Sequence, residues 1–209
     1  MAVIVWTAAG FLSGSIPFAV ILGWLARRAD IRAWGDHNPG GTNVIRAAGW
    51  RWGLLAILLD FLKGALPVGL AWYGAGLQGW EIVPPALAPA FGHAFSPWLG
   101  GRGGKAVAVT FGLWSGLTIW SGPSVLGLLL GVSYALFASS GWAVMSAMLG
   151  FGVFVGLVYA PLYPEFLAIW VLNLALLGWK HRQELTGRPE LRPRLALRLR
   201  SLPWFSSRT

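Results

Sequence analysis

From Ala106 to Pro164 the chain runs for 59 residues without one Asp, Glu, Lys or Arg. A soluble domain usually carries about 25% charged residues. A stretch this long without them has no surface to offer water and requires lipid around it. Ser121-Gly122-Pro123 and Ser139-Ser140-Gly141 interrupt the run with turn residues and divide it into three spans. The first two are shorter than the usual ~20 residues, so tilt or local bilayer thinning is expected.

The remainder of the 209 residues obeys the same constraint, with 56% hydrophobic and 11% charged residues overall. A first span is expected over Ala2 to Ala26. It has no basic n-region and is too long for a signal-peptide core, so it reads as retained. Ser13, Gly14, Ser15 and Pro17 lie within it, and close helix packing is favoured over binding for them. A second span, Trp52 to Tyr73, carries Asp60 and Lys63 three residues apart on one helix face. An ion pair within the helix and a site-lining role both account for them. A third, Ile82 to Leu99, is interrupted by Pro84, Pro85 and Pro89 and carries His93, so irregular backbone is expected there. The seventh runs from Glu165 to Trp179, ahead of a basic tail over 180–209. The tail's alternating Arg and Leu suit an interfacial segment or a topogenic charge cluster, and no chemistry is assigned to it.

Length and pattern therefore predict one domain over 1–209: an all-α integral membrane protein of about seven transmembrane helices, with no repeat of 20–50 residues. With seven spans, loop 27–51, loop 100–105 and the tail fall on one side and hold every Lys and Arg except Lys63. The positive-inside rule then puts the N-terminus outside and the C-terminus in the cytoplasm. The net charge of +9 is spread through these loops rather than over one soluble face, which argues against nucleic acid. Cysteine is absent, which removes disulfides, thiolate nucleophiles and Cys-based metal sites.

Two polar islands interrupt the apolar segments. In the first, Asn38-Pro39-Gly40-Gly41-Thr42-Asn43 cannot face lipid, because its turn residues expose backbone donors. A short helix starting near Asn43 would aim N–H groups at an anion, and Arg46 would add a bidentate phosphate fork. A topogenic loop whose glycines only make turns is the alternative. The second island, Gly101-Arg102-Gly103-Gly104-Lys105, departs from the P-loop pattern: Leu99 stands where its first Gly belongs and Ala106 where Ser or Thr follows. A glycine-rich nest with a Lys at a helix start still suits phosphate, and Lys105 is the best single cation in the chain. The three histidines, His37, His93 and His181, all fall in the cytoplasmic half. Their spacing does not make a zinc site, and no metal is expected. Neutral imidazole is a candidate base near pH 7. The His-x4-Asp pattern of one large acyltransferase class is absent, since Thr42, Trp98 and Thr186 occupy its Asp position.

The islands also carry a resemblance. Gly35–Arg46 is similar to Gly-Ser-Gly-Asn-Pro-Gly-Ala-Thr-Asn-Val-x-Arg, continued by Asp60-x-x-Lys63-Gly64. Gly92-His93-Ala94-Phe95 with Gly103-Gly104-Lys105 matches a second motif, and Lys180-His181-Arg182 a weaker third. With the Gly-Ser-Ile-Pro-Phe of the first span, the likeness extends over essentially the whole chain. It resembles the PlsY family, membrane-integral glycerol-3-phosphate acyltransferases that use acyl-phosphate donors. That resemblance implies acyl transfer from acyl phosphate to the 1-hydroxyl of glycerol 3-phosphate in phospholipid synthesis, without a cofactor, at a bacterial cytoplasmic membrane. Lys105, His181, Arg46 and Asp36 are the expected catalytic residues. Asn38, Gly40, Thr42, Asn43, His93, Gly103 and Gly104 are the expected substrate- and phosphate-binding residues. Expected partners are acyl phosphate, glycerol 3-phosphate and membrane lipids, with other phospholipid-synthesis enzymes as candidates.

The sequence departs from these motifs at several places. The family Ser corresponds to Asp36 and the Gly after it to His37, an Asn to Glu184, and Gly-Gly-Lys is followed by Ala106. Asp36 is expected to pair with His37 or Arg46. Three other readings remain: an acyltransferase with a different, hydroxyl- or amine-bearing acceptor; a catalytically weak paralogue that binds acyl phosphate or lipid; and a small-anion transporter. The last needs charges along the bundle axis, where only Asp60, Lys63 and His93 could serve.

Overall fold

The computed structural model describes residues 1–193. The tail residues Arg194, Arg198 and Arg200, with their leucines and Trp204-Phe205, lie outside the described residues. Within them the regular elements are all helical, apart from one isolated antiparallel bridge between Phe137 and Leu191.

The expected first span is two helices, α1 (Ala2–Ser15) and α2 (Phe18–Arg27). Pro17 has no N–H to continue the ladder, and Ile16 turns extended, with φ −62° and ψ 121°. The Ile16 carbonyl then accepts a 2.8 Å hydrogen bond from the Lys63 ammonium of the neighbouring helix. A short helix α3 (Gly41–Ala48) precedes α4 (Trp50–Gly69), which runs on through a wider turn to Gly74. Next come α5 (Val83–Ala94), α6 (Val107–Thr118), α7 (Ser121–Leu136), α8 (Ser140–Phe154) and α9 (Glu165–His181).

The expected break in the third span is corrected. Pro84 and Pro85 open α5, where the first-turn N–H groups have no helical partner to lose. Pro89 is accommodated inside the helix. The irregular backbone begins only after Ala94 and lasts to Ala106.

Among the described residues, three helical stretches are long and apolar enough to cross a membrane: Ala2–Arg27, with α1 and α2 taken together, Trp50–Gly74 and Ser140–Tyr159. The helices α5 and α6 have 12 residues each, about 18 Å at 1.5 Å per residue against a ~30 Å hydrocarbon layer. Large apolar side chains such as Leu128, Leu157 and Leu162 point outward, as lipid permits and water does not.

Two cores hold the bundle. The larger is aromatic at its centre, with Trp114 set edge-on to Phe151 at 4.9 Å between ring centroids. Asn173 joins helices there, donating to Thr110 at 3.0 Å and accepting from Trp114 Nε1 at 3.3 Å. Such paired polar groups hold helices together where burial gives no preference for helix over lipid. The smaller core packs Ile31 and Val44 against Ala19, Leu22 and Ala56. It fastens the loop 28–40 and α3 onto α2 and α4, and so fixes the first polar island in place.

Candidate active site

The two islands meet across a cavity of about 950 Å³ bordered by α3, α4, α6, α7 and the end of α9. One part of its wall is apolar, built from Leu54, Ile57, Leu58 and Phe61 of α4 and Phe111 of α6. The other part is polar. All the residues expected in the site line it except Gly103 and Gly104. Gly103 borders a second pocket of about 310 Å³, which shares Asp36, Asn38 and Lys105 with the first.

The polar wall is built from the first island upward. Gly35 takes φ +61°, a left-handed conformation suited to glycine, and a Cβ there would collide with the Arg46 guanidinium and the Asn43 carboxamide. This close approach folds the loop over α3. Asn43 is buried in the first turns of α3 and organises the loop. Its Nδ2 donates to Asp36 Oδ1 and to the Asn38 carbonyl, each at 2.8 Å, and its Oδ1 accepts from Arg46 Nη1 at 2.8 Å. The helix begins at Gly41, two residues earlier than the sequence suggests, so the backbone N–H groups of Gly41 and Thr42 stand free of helical carbonyls at its start.

The second island is pressed against α5. The Gly104 N–H donates to the His93 carbonyl at 3.1 Å. A Cβ on Gly103 would strike the His93 backbone, and one on Gly104 its imidazole. Lys180 of α9 locks the same segment, donating to the Gly103 carbonyl at 2.8 Å and the Ala94 carbonyl at 2.9 Å. These contacts bring Lys105 to the cavity mouth.

There Lys105 meets two carboxylates. Its ammonium lies 2.6 Å from Asp36 Oδ2 and also pairs with Glu184 Oε1, while Glu184 Oε2 accepts from the Ser140 hydroxyl. The expected pairing of Asp36 with His37 or Arg46 is thereby corrected. His37 sits at φ +60° with Nδ1 on the Arg32 carbonyl, and Asn43 stands between Asp36 and Arg46. Partial burial pushes the Asp36 and Glu184 carboxyls up. The hydrogen bonds and charge of Lys105, with Asn43 and Ser140, outweigh it, and both end below the usual carboxylate range. Burial pulls Lys105 down, but its two carboxylates hold it above its ordinary value.

His181 is buried at the end of α9, with Nδ1 on the Leu177 carbonyl at 2.9 Å and its ring against the cavity. Deeper in, Asp60 Oδ1 lies 2.8 Å from Lys63 Nζ and 3.7 Å from His93 Nδ1. The ion pair within the helix and the site-lining role therefore coexist, since Asp60 also borders the cavity. Sequence reasoning gave no role to Ser140 or Arg192, both of which reach the cavity wall. Nothing local marks them: Ser140 looks like a turn residue and Arg192 like one more tail cation. Arg192 arrives because segment 190–192 pairs with the α7–α8 corner, through Ala138 N–H to the Glu190 carbonyl and Arg192 N–H to the Leu136 carbonyl, each 2.9 Å.

Comparison with known proteins covers the same ground. Residues 4–187 match the protein family described as glycerol-3-phosphate acyltransferase. Glycerol-3-phosphate acyltransferase 1 of Thermotoga maritima is 35% identical over 187 residues, 84% of this chain and 92% of that protein. The enzyme of the same name from Paramagnetospirillum magneticum is 38% identical over 178 residues, 84% of this chain and 85% of that one. Among solved structures, the crystal structure of PlsY (YgiH), an integral membrane glycerol 3-phosphate acyltransferase in its glycerol 3-phosphate form, superposes with a TM-score of 0.80 at 28% identity. The match covers 94% of this chain and 98% of that one. Its lysophosphatidic acid form gives a TM-score of 0.79 at 27% identity, covering 95% and 100%. Helices, islands and sequence agree, and the chain belongs to the glycerol-3-phosphate acyltransferase family.

Proposed function

We propose that this membrane protein transfers an acyl group from acyl phosphate to the 1-hydroxyl of glycerol 3-phosphate, forming lysophosphatidic acid and inorganic phosphate. The observation that carries the reading is a cavity that joins an apolar wall of α4 and α6 to a mouth bearing Arg46 and Lys105. A donor with a long chain and a phosphate needs both halves at once. The similar solved structures, described in glycerol 3-phosphate and lysophosphatidic acid forms, support the acceptor and the product.

Acyl phosphate is an activated mixed anhydride, so the protein has mainly to position two substrates and neutralise charge. The acceptor hydroxyl oxygen attacks the acyl carbon, the bond to the phosphate oxygen breaks, and the hydroxyl proton leaves with phosphate. In this proposal Arg46 and the free N–H groups at the start of α3, with Gly40, Thr42 and Asn38, cradle one phosphate. Lys105, presented by Gly103 and Gly104, serves the other. Asp36 and Asn43 set the geometry between the two cations. His181 orients substrate or assists the proton, and His93 backs the glycine loop. Seven membrane crossings, counting α5, α6, α7 and α9 despite their length, put the site on the cytoplasmic face of a bacterial inner membrane. The cation-bearing loops support that orientation.

The test is lysophosphatidate formation by purified protein from palmitoyl phosphate and glycerol 3-phosphate, with Lys105→Ala beside it. Turnover should be present in the unaltered protein and fall by about 100-fold or more in the variant. Equal turnover in both would remove Lys105 from the mechanism.

A further inference from the structure

The cation at the cavity mouth is already engaged. Lys105 is shared between Asp36, from the loop before α3, and Glu184, from the segment after α9. Each carboxylate is also tied to a neutral donor, Asp36 to Asn43 and Glu184 to Ser140. They are therefore held at this point by the scaffold and not drawn there by the ammonium alone. Asp36, Glu184 and Lys105 together carry a charge of −1, so this cluster by itself offers a phosphate no net cation. Arg192 borders the cavity as well, with its Nε given to the Phe137 carbonyl.

Hydrogen-bond polarity sharpens the consequence. An ionised carboxylate only accepts, and so does a fully ionised phosphate, whereas a hydroxyl donates. An acceptor phosphate seated at Lys105, the second phosphate position proposed above, shares the ammonium with two carboxylates and lies beside them, and like charges at that range repel. A polyol hydroxyl meets Asp36, which lines the cavity, as an acceptor with lone pairs to spare, while Glu184 stands behind Lys105 and Ser140, and the lysine stays where it is.

We propose that Asp36 and Glu184 are specificity-determining residues that open the acceptor subsite to uncharged polyols, so that the chain acylates glycerol-like acceptors alongside glycerol 3-phosphate. The inference rests on the acyl-transfer reading above. The step balances in the same way: a polyol hydroxyl oxygen forms the ester bond with the acyl carbon, the acyl–oxygen bond to phosphate breaks, and the proton leaves with inorganic phosphate. The product is a monoacyl polyol.

The experiment compares kcat/KM for glycerol and for glycerol 3-phosphate, with palmitoyl phosphate as donor, in the full chain and in Asp36→Asn and Glu184→Gln. Each substitution removes one charge and keeps the shape, and the two lie in separate segments, so a rise in either variant supports the inference independently. The unaltered protein should yield monoacylglycerol. The ratio of glycerol 3-phosphate to glycerol kcat/KM should rise about tenfold, about 1.4 kcal/mol, in at least one variant. An unchanged ratio in both, or glycerol 3-phosphate transfer with no glycerol transfer in the unaltered protein, overturns the inference and leaves the proposed function standing. No transfer to either acceptor overturns both.

Discussion

At the residue scale, the decisive contacts link positions that no local pattern connects. Asp36 and Lys105 are 69 residues apart in sequence, and Lys105 and Glu184 are 79 apart. The sequence marks all three as unusual, and Lys105 as the leading cation, yet neighbours in the chain suggest His37 or Arg46 as the partner for Asp36. The contact that wins is set by how the two islands stack, which residue spacing does not encode. It has a pH signature. Both carboxyls lie below their ordinary values in the folded protein. Their contribution to stability is complete above the unfolded carboxylate range and is lost as pH falls through the lower folded values. Thermal melting in detergent should therefore lose a component below about pH 4. The component should shrink in an Asp36→Asn, Glu184→Gln double variant. Identical pH profiles for the two proteins would dismiss the linkage.

At the element scale, the break between α1 and α2 and the ion pair of α4 form one unit. The break at Pro17 presents the Ile16 carbonyl to α4, where it accepts from Lys63 as well as from the Phe18 N–H, and Asp60 balances Lys63 at 2.8 Å with both side chains almost wholly buried. Ser13 adds a hydrogen bond from its hydroxyl to the Lys63 carbonyl at 3.1 Å. Sequence alone pairs Asp60 with Lys63, because three residues make one helix face, but gives no hint that the pair repairs a proline break in another helix. Lys63→Met leaves a buried carboxylate and a carbonyl without their cation and should cost about 3–5 kcal/mol. Adding Asp60→Asn should recover part of that loss, as read by thermal unfolding in detergent. A double variant less stable than Lys63→Met alone would show that the two residues act separately. The prolines of α5 teach the opposite lesson. They suggest a broken span, but two of them sit in the first turn, where proline is tolerated.

At the scale of the whole molecule, the uncharged run already points to a helical bundle in lipid, because a spanning backbone is satisfied in helices or closed barrels and the run lacks a barrel's alternation of polar and apolar residues. The order of helices and both islands were legible for that reason. Their depth was not: α5 and α6 are too short to be recognised as crossings by length, and only charge placement speaks for them. A reporter fused to the C-terminus tests the topology. It should be protected from added protease in intact cells and cleaved after lysis. Cleavage in intact cells would reverse the proposed orientation.

The shared lysine also bears on how the protein is made. Synthesis delivers Asp36 first, Lys105 next and Glu184 near the end of the described chain, and chains fold from the N-terminal side as they emerge. Until α9 and the segment after it have packed onto the bundle, Lys105 has one carboxylate instead of two, and the Gly103 carbonyl lacks Lys180. A nascent chain halted before that point carries both islands yet has no finished mouth. Completion of the site thus coincides with completion of the bundle, and a truncated product left in the bilayer lacks the finished mouth on which the proposed acyl transfer depends.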